Sequence, residues 1–293
     1  MQVKAEKAWA AAALLFNAVV WGLSWWPLRA LQSQGVHPLW ATTAIYVVAL
    51  VLIGAVSARQ LAGRWRDRRL WLLALACGLT NLGFNWGITV GDVLRVVLLF
   101  YLMPAWAVLL GWLMLGERPN TASLLRTLLA LAGVVVVLKS PDTPWPLPRD
   151  GADFLGLLGG FAFAWTNIVL RQLAATPGAA RMFAMFAGGA AMALAVALVG
   201  AFSGHIPTPA QTIDSTGILA ALGLGVALLL GNTALQYGAT RLAAQTTALL
   251  MLTEVVFAGV SSVLLGAAEP SPRVAIGAVL IGAAALLSAR ANH

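Results

Sequence analysis

Asn81-Leu82-Gly83-Phe84-Asn85-Trp86-Gly87 (residues 81–87) has a counterpart in Asn232-Thr233-Ala234-Leu235-Gln236-Tyr237-Gly238 (residues 232–238), and this pair of stretches decides the fold. The second begins 151 residues after the first, and Pro119 and Pro270 follow at the same offset. Each stretch closes the third apolar segment of its half. Five such segments per half is an odd number, so the second copy must enter a bilayer upside down relative to the first. Inverted repeats of this kind place a binding site at the midplane, where two accesses can alternate.

The surrounding composition agrees. The 293 residues are 60% hydrophobic and 10% charged, with a mean hydropathy of +0.87; soluble domains carry far more charge. A span needs about 20 apolar residues, and ten such stretches can be placed: 8–29, 38–58, 70–90, 93–115, 121–139, 151–172, 180–202, 215–238, 242–266 and 272–290. The expected architecture is an all-α membrane protein of ten transmembrane helices. Two inverted five-helix repeats, 1–139 and 151–293, are joined by a linker, 140–150, stiffened by Pro141, Pro144, Pro146 and Pro148. Lys4 and Lys7 precede an apolar run longer than a signal-peptide core, so the first segment is read as a span.

The net charge of +8 does not point to nucleic acid, because the basic residues sit in short loops. With the N-terminus inside, Lys4, Lys7, Arg59, Arg64, Arg66, Arg68, Arg69, Arg118, Arg126, Arg171, Arg181, Arg241 and Arg290 fall on the inner side. Arg29, Arg95, Lys139, Arg149 and Arg273 fall on the outer. That imbalance predicts two cytoplasmic termini. Arg95 and Arg126 lie near helix ends and are expected to snorkel. Cys77 is the only cysteine, which excludes a disulfide framework and a cysteine metal site. His37, His205 and His293 are scattered, and no nucleophile–base set is visible, so neither a metal, a cofactor nor enzyme chemistry is expected.

Polar groups inside hydrocarbon need partners or a function. Asn81 and Asn85 share one helical face, as do Asn232 and Gln236. Their amides could hold both ends of a zwitterion; bonds between helices are the alternative use of the same groups. Trp21, Trp86, Tyr101, Trp165 and Tyr237 lie within spans and could wall a cavity. Trp9, Trp40, Trp65, Trp71 and Trp145 belong at interfaces, and Trp25, Trp26, Trp106 and Trp112 are assigned to lipid-facing or packing positions. Glu254 is the carboxylate deepest in a span, where a charge costs roughly 2.5–3.5 kcal/mol; it is the candidate for ion or proton coupling or for binding an ammonium group, and a helix-capping or partnered acid near a break in the ninth span is the alternative. Pro104 removes a backbone bond and is the expected hinge. The glycine groups 156/159/160, 188/189 and 223/225 permit bending or close crossing.

Three motifs carry a resemblance. The first half reads Val20-Trp21-Gly22-Leu23-Ser24, Met103-Pro104 and Leu115-Gly116-Glu117-Arg118-Pro119. The second reads Ala164-Trp165-Thr166-Asn167, Thr253-Glu254-Val255 and Leu265-Gly266-Ala267-Ala268-Glu269-Pro270. Each half resembles an EamA-type unit of the drug/metabolite transporter superfamily, and the whole is most similar to YddG-type aromatic amino acid exporters. Val255 stands where the first copy has Pro104, so the copies are not expected to bend identically. The resemblance implies a monomeric carrier in the bacterial inner membrane, exporting aromatic and other neutral amino acids by alternating access; another metabolite or a drug is the alternative cargo. Small multidrug exporters, distant relatives, depend on a first-helix glutamate. Here the first and sixth spans carry Asn17, Ser24, Thr166 and Asn167 instead, which disfavours polycation export by that route.

Overall fold

The computed structural model describes residues 2–61, 63–87, 91, 93–138, 148–208, 214–267 and 269–291. The hairpin at Asp92, Trp145 and most of the proline-rich linker lie outside them. The described residues form α1 (Gln2–Leu23), α2 (Trp25–Ser33), α3 (Pro38–Leu61), α4 (Arg68–Asn81), α5 (Val93–Phe100), α6 (Met103–Leu115), α7 (Thr121–Leu138), α8 (Gly151–Gln172), α9 (Gly178–Phe202), α10 (Ser215–Ala239), α11 (Ala244–Met251), α12 (Thr253–Leu264) and α13 (Pro272–Ala291). Among them nine continuous helical runs are long and apolar enough to cross a membrane. α4, continued by the π turn Leu82–Trp86, is a further helix packed among them and is not one of the nine. Large apolar side chains cover the outside: Leu72, Leu113, Leu128, Val199, Leu219 and Val279 are between 40% and 70% exposed. A surface so apolar belongs in lipid. The chain is a multi-pass membrane protein.

Side-chain contacts sort the helix termini into two ends. At the near end, Glu6 at the start of α1 meets Arg241 at 2.9 Å. There too Arg69 donates to the Gln172 carbonyl at 3.3 Å and Arg171 pairs with Glu117 at 2.7 Å. At the far end, Gln34 donates to Asp214 at 2.7 Å, Trp40 donates to the Pro207 carbonyl at 3.0 Å and Arg95 pairs with Asp153. Thus α1 starts at the near end and α8 at the far end.

Small residues set the crossings. Along α8, Gly156 faces the Val96 carbonyl and Gly159 faces the backbone of Phe84; a Cβ on either would stand 2.7 and 3.0 Å from those atoms. Gly188 of α9 lies against the Ala74 backbone, and Gly133 of α7 crosses Gly277 of α13. Such contacts let backbones approach where lipid supplies no hydrophobic drive between helices. Gly223 and Gly225 make no such crossing: nothing lies within 4 Å of a Cβ on the first, and Ile45 is 3.5 Å from one on the second. In consequence α4 lies on α8 and α9, α3 on α9, α7 on α13, and α1 on α10 and α12.

Among the described residues four spans are interrupted within their apolar length, and α3 has a further kink toward its end at Ser57, with φ −122° and ψ 18°. The first breaks at Ser24, whose hydroxyl donates to the Trp21 carbonyl at 2.7 Å. The third widens into the π turn. The fourth breaks at Tyr101-Leu102, just before Pro104 at the start of α6, where the missing N–H is harmless. The ninth breaks at Leu252 without any proline. There the Thr253 hydroxyl donates to the Leu250 carbonyl at 2.6 Å and Val255 N bonds Leu252 O at 3.1 Å. Proline is therefore not what decides the break: a hydroxyl and a tightened turn do the same where Val255 stands.

Candidate functional site

A cavity of about 400 Å³ occupies the middle of the bundle, within the range of about 300–1,000 Å³ for small-molecule sites. It is bordered by the interrupted spans. Its deep polar feature is the Tyr101 hydroxyl donating to Glu254 Oε1 at 2.7 Å, which joins the break in the fourth span to the first turn after the break in the ninth. Glu254 is fixed there because α12 crosses α1 at Gly22: a Cβ on that glycine would stand 2.8 Å from the Glu254 carbonyl and 2.7 Å from Phe257 Cβ. Trp25 donates to Ser261 at 3.0 Å and ties α2 to the same helix.

Of the residues singled out in the sequence, Trp21, Asn81, Asn85, Tyr101, Asn232 and Glu254 line this cavity. Asn81 donates to the Cys77 carbonyl at 2.9 Å, and Asn232 Nδ2 meets only the weak acceptor Met185 Sδ at 3.6 Å. The remaining five candidates do not line it. Gln236 is buried one turn further toward the near end and donates to Asn232 Oδ1 at 2.7 Å. Tyr237 carries the Arg241 guanidinium over its ring at 3.9 Å. Trp86 packs with Leu39 and Val196, and Trp165 packs beside Phe161 within the apolar core. Pro104 is buried and starts α6 outside the lining.

Ser24 and Thr166, the polar residues noted in the first and sixth spans, line the cavity too, whereas the remaining aromatic lining carried no advance signal of a cavity role. Trp25 lines the cavity instead of facing lipid or packing. Tyr46, Phe84, Phe100, Phe163 and Phe186 add aromatic wall, and as apolar residues in apolar spans they look like ordinary core. Phe84 and Phe100 stack edge to face, with centroids 4.9 Å apart. Among the described residues Glu254 is the one acid in the lining, and no Lys, Arg or His is in it. Toward the far end the lining continues through Leu28 and Pro38. Toward the near end, Leu14, Leu70, Leu73, Leu170, Leu173 and Leu249, each at most 1% exposed, belong to a dense apolar cluster.

Residues 8–139 match the EamA-like transporter family. That stretch is the first half of the chain, α1 to α7, and supplies Trp21, Asn81, Asn85 and Tyr101 to the cavity. No curated protein matches the chain. A solved crystal structure shares 20% identity and superposes with a TM-score of 0.74, covering 95% of this chain and 96% of that one; at that identity the likeness concerns the fold alone.

Within the EamA-matching half, the Leu115-Gly116-Glu117 motif has a physical use. Gly116 takes φ +70°, which ends α6 in a left-handed turn. Glu117 then reaches the second half: it pairs with Arg171 and accepts from Ala244 N at 3.1 Å, at the start of α11. Arg171 also donates to the Leu242 carbonyl. At the other end Arg95 does not snorkel. It is buried with Asp153, with side-chain exposures of 7% and 2%, and Asp153 also accepts from Arg149 N at 3.0 Å.

Proposed function

We propose that this protein is a secondary transporter of the drug/metabolite type that exports amino acids, aromatic and other neutral ones, across the bacterial inner membrane. The observation carrying this reading is the aromatic-walled cavity with the Tyr101–Glu254 pair at its depth, above a dense apolar layer toward the near end. A substrate ammonium would meet Glu254 and Tyr101. The carboxylate and the apolar body would meet the amides of Asn81, Asn85 and Asn232 and the rings of Trp21, Trp25 and Phe100.

Alternating access requires two accesses related by symmetry, and the packing supports that. α4 lies on α8 as α10 lies on α1; α5 and α6 lie on α8 as α11 and α12 lie on α1; α3 faces α9 and α7 faces α13. Each pairing is exchanged by a step of five spans, and the opposed starts of α1 and α8 agree with an inverted second copy. The breaks at Leu102 and Leu252 fall at matching places in this scheme and would let the fourth and ninth spans flex in turn. The near end, rich in arginine, is assigned to the cytoplasm with both termini.

The test is uptake into proteoliposomes of a panel of neutral amino acids, with and without an imposed pH gradient, for the natural protein and Glu254→Gln. Saturable uptake of aromatic members is expected. Uptake of none removes the substrate assignment; an equal response to the gradient in both proteins removes Glu254 as the coupling group. A lining with one acid and no base also favours a second cargo, an apolar amine, and including phenethylamine in the panel separates the two.

A further inference from the structure

The near end holds polar groups that the cavity does not use. Arg181 lies in the first turn of α9 and is 8% exposed. A guanidinium stays charged and presents five N–H donors, so burying it without an anion is unfavourable. Its Nη1 reaches the Leu173 carbonyl at a long 3.4 Å, and its Nε has no hydrogen-bond partner. The charged neighbour acting on it is Arg241, of the same sign, and Arg241 is matched to Glu6. Among the described residues, one positive charge is left over at this point.

Two further features converge on that charge. The 25-residue α9 starts after Pro177 with no side-chain cap, so its positive dipole end is bare. Gln236, 3% exposed, has an Oε1 without a partner. Both Arg181 Nη2 and Gln236 Oε1 lie near the point a Cβ on Gly178 would take, at 3.7 and 3.8 Å; the glycine leaves that space open. Turned over, the Gln236 amide would aim its NH₂ at the same space. Asn232, turned in response, would offer its own NH₂ back to Gln236, since it surrenders only a thioether contact. The space at Arg181 is thereby linked through Gln236 to Asn232 in the cavity wall, one helical turn away.

We propose that Arg181, Gln236 and the bare start of α9 form a carboxylate-binding site at the closed end of the bundle, which holds the acid group of the transported molecule on its way to or from the cavity. The fork of Arg181 matches the planar geometry of a carboxylate. Only the origin of the carboxylate rests on the transport reading; the anion site stands on its own residues.

The first arm needs no transport. Detergent-purified protein is melted while sodium acetate replaces sodium chloride at constant ionic strength. The natural protein should gain about 3 °C once acetate stands tenfold above its dissociation constant. Arg181→Gln and Gln236→Leu should lose that gain, and Arg181→Lys should keep part of it. No gain over chloride, a gain kept in the Gln and Leu variants, or failure of both variants to fold overturns the site. The second arm compares proteoliposome uptake of phenylalanine and its amide, which lacks the carboxylate. Arg181→Gln should raise KM for phenylalanine roughly tenfold or more and leave the amide unchanged. An equal effect on both overturns the substrate as the source of the carboxylate. If the natural protein moves neither compound, the transport reading fails for them, and the acetate arm still judges the site.

Discussion

Replacing Asp153 by Asn should unbalance the far end of the bundle. Asp153 and Arg95 are side chains 2% and 7% exposed, so water screens neither. The substitution keeps the shape and one acceptor but removes the Asp153 charge from beside a buried guanidinium. Removing one partner of a buried pair costs about 3–5 kcal/mol, much of it the stranded charge itself. At about 2–4 °C per kcal/mol for larger domains, the melting midpoint in detergent, followed by tryptophan fluorescence, should fall by roughly 10 °C. The reasoning makes a sharper demand on the double variant: Asp153→Asn with Arg95→Met should recover most of the loss, because no charge is stranded. If Asp153→Asn melts within a degree or two of the natural protein, or the double variant is as unstable as the sum of its parts, the pair is not the unit described here.

Tyr101→Phe deletes a hydrogen bond to a carboxylate, worth about 1.5–3 kcal/mol; a KM at least roughly tenfold higher with normal expression is expected, and an unchanged KM would detach Tyr101 from the site. Gly22→Val should drive a side chain into α12 beside Glu254, at about 1–3 kcal/mol of overpacking, lowering both melting temperature and substrate affinity; a fully stable, active variant would contradict the close crossing. Trp165→Ala should lose about 3–5 kcal/mol of stability through a cavity in the core, whereas loss of transport at unchanged stability would return that residue to the substrate path.

The helical membrane architecture was legible because length and apolarity are what a bilayer demands of a span. Boundaries such as 151–172 and 215–238 lie at or within a residue of α8 and α10. The interruptions at Ser24 and in the π turn were not legible, since they depend on a hydroxyl and neighbouring helices and not on apolar content; only the embedded Glu254 hinted at the one at Leu252. In the cavity, Asn81, Asn85, Asn232 and Glu254 could be picked out as polar groups where polarity is costly. The phenylalanine wall could not, for the same reason inverted. Trp21 and Trp165 hold equivalent places in the sequence, yet only Trp21 meets the cavity: Phe163 and Thr166, on either side of Trp165 along α8, line it, while Trp165 turns to another face of that helix and packs beside Phe161. Arg181 looked like one more loop cation; its burial comes from α10 and the α8–α9 turn folding over it.

The wide turn at Leu82–Trp86 has a consequence for ancestry. A π turn accommodates one residue more than a regular helix of the same rise, and on either side of it the chain keeps its pairing with α8. A single-codon deletion inside this heptapeptide would iron out the bulge, whereas the same deletion elsewhere in a crossing would rotate every following side chain. Kindred proteins should therefore differ in length by one residue at this point more readily than anywhere else within a span.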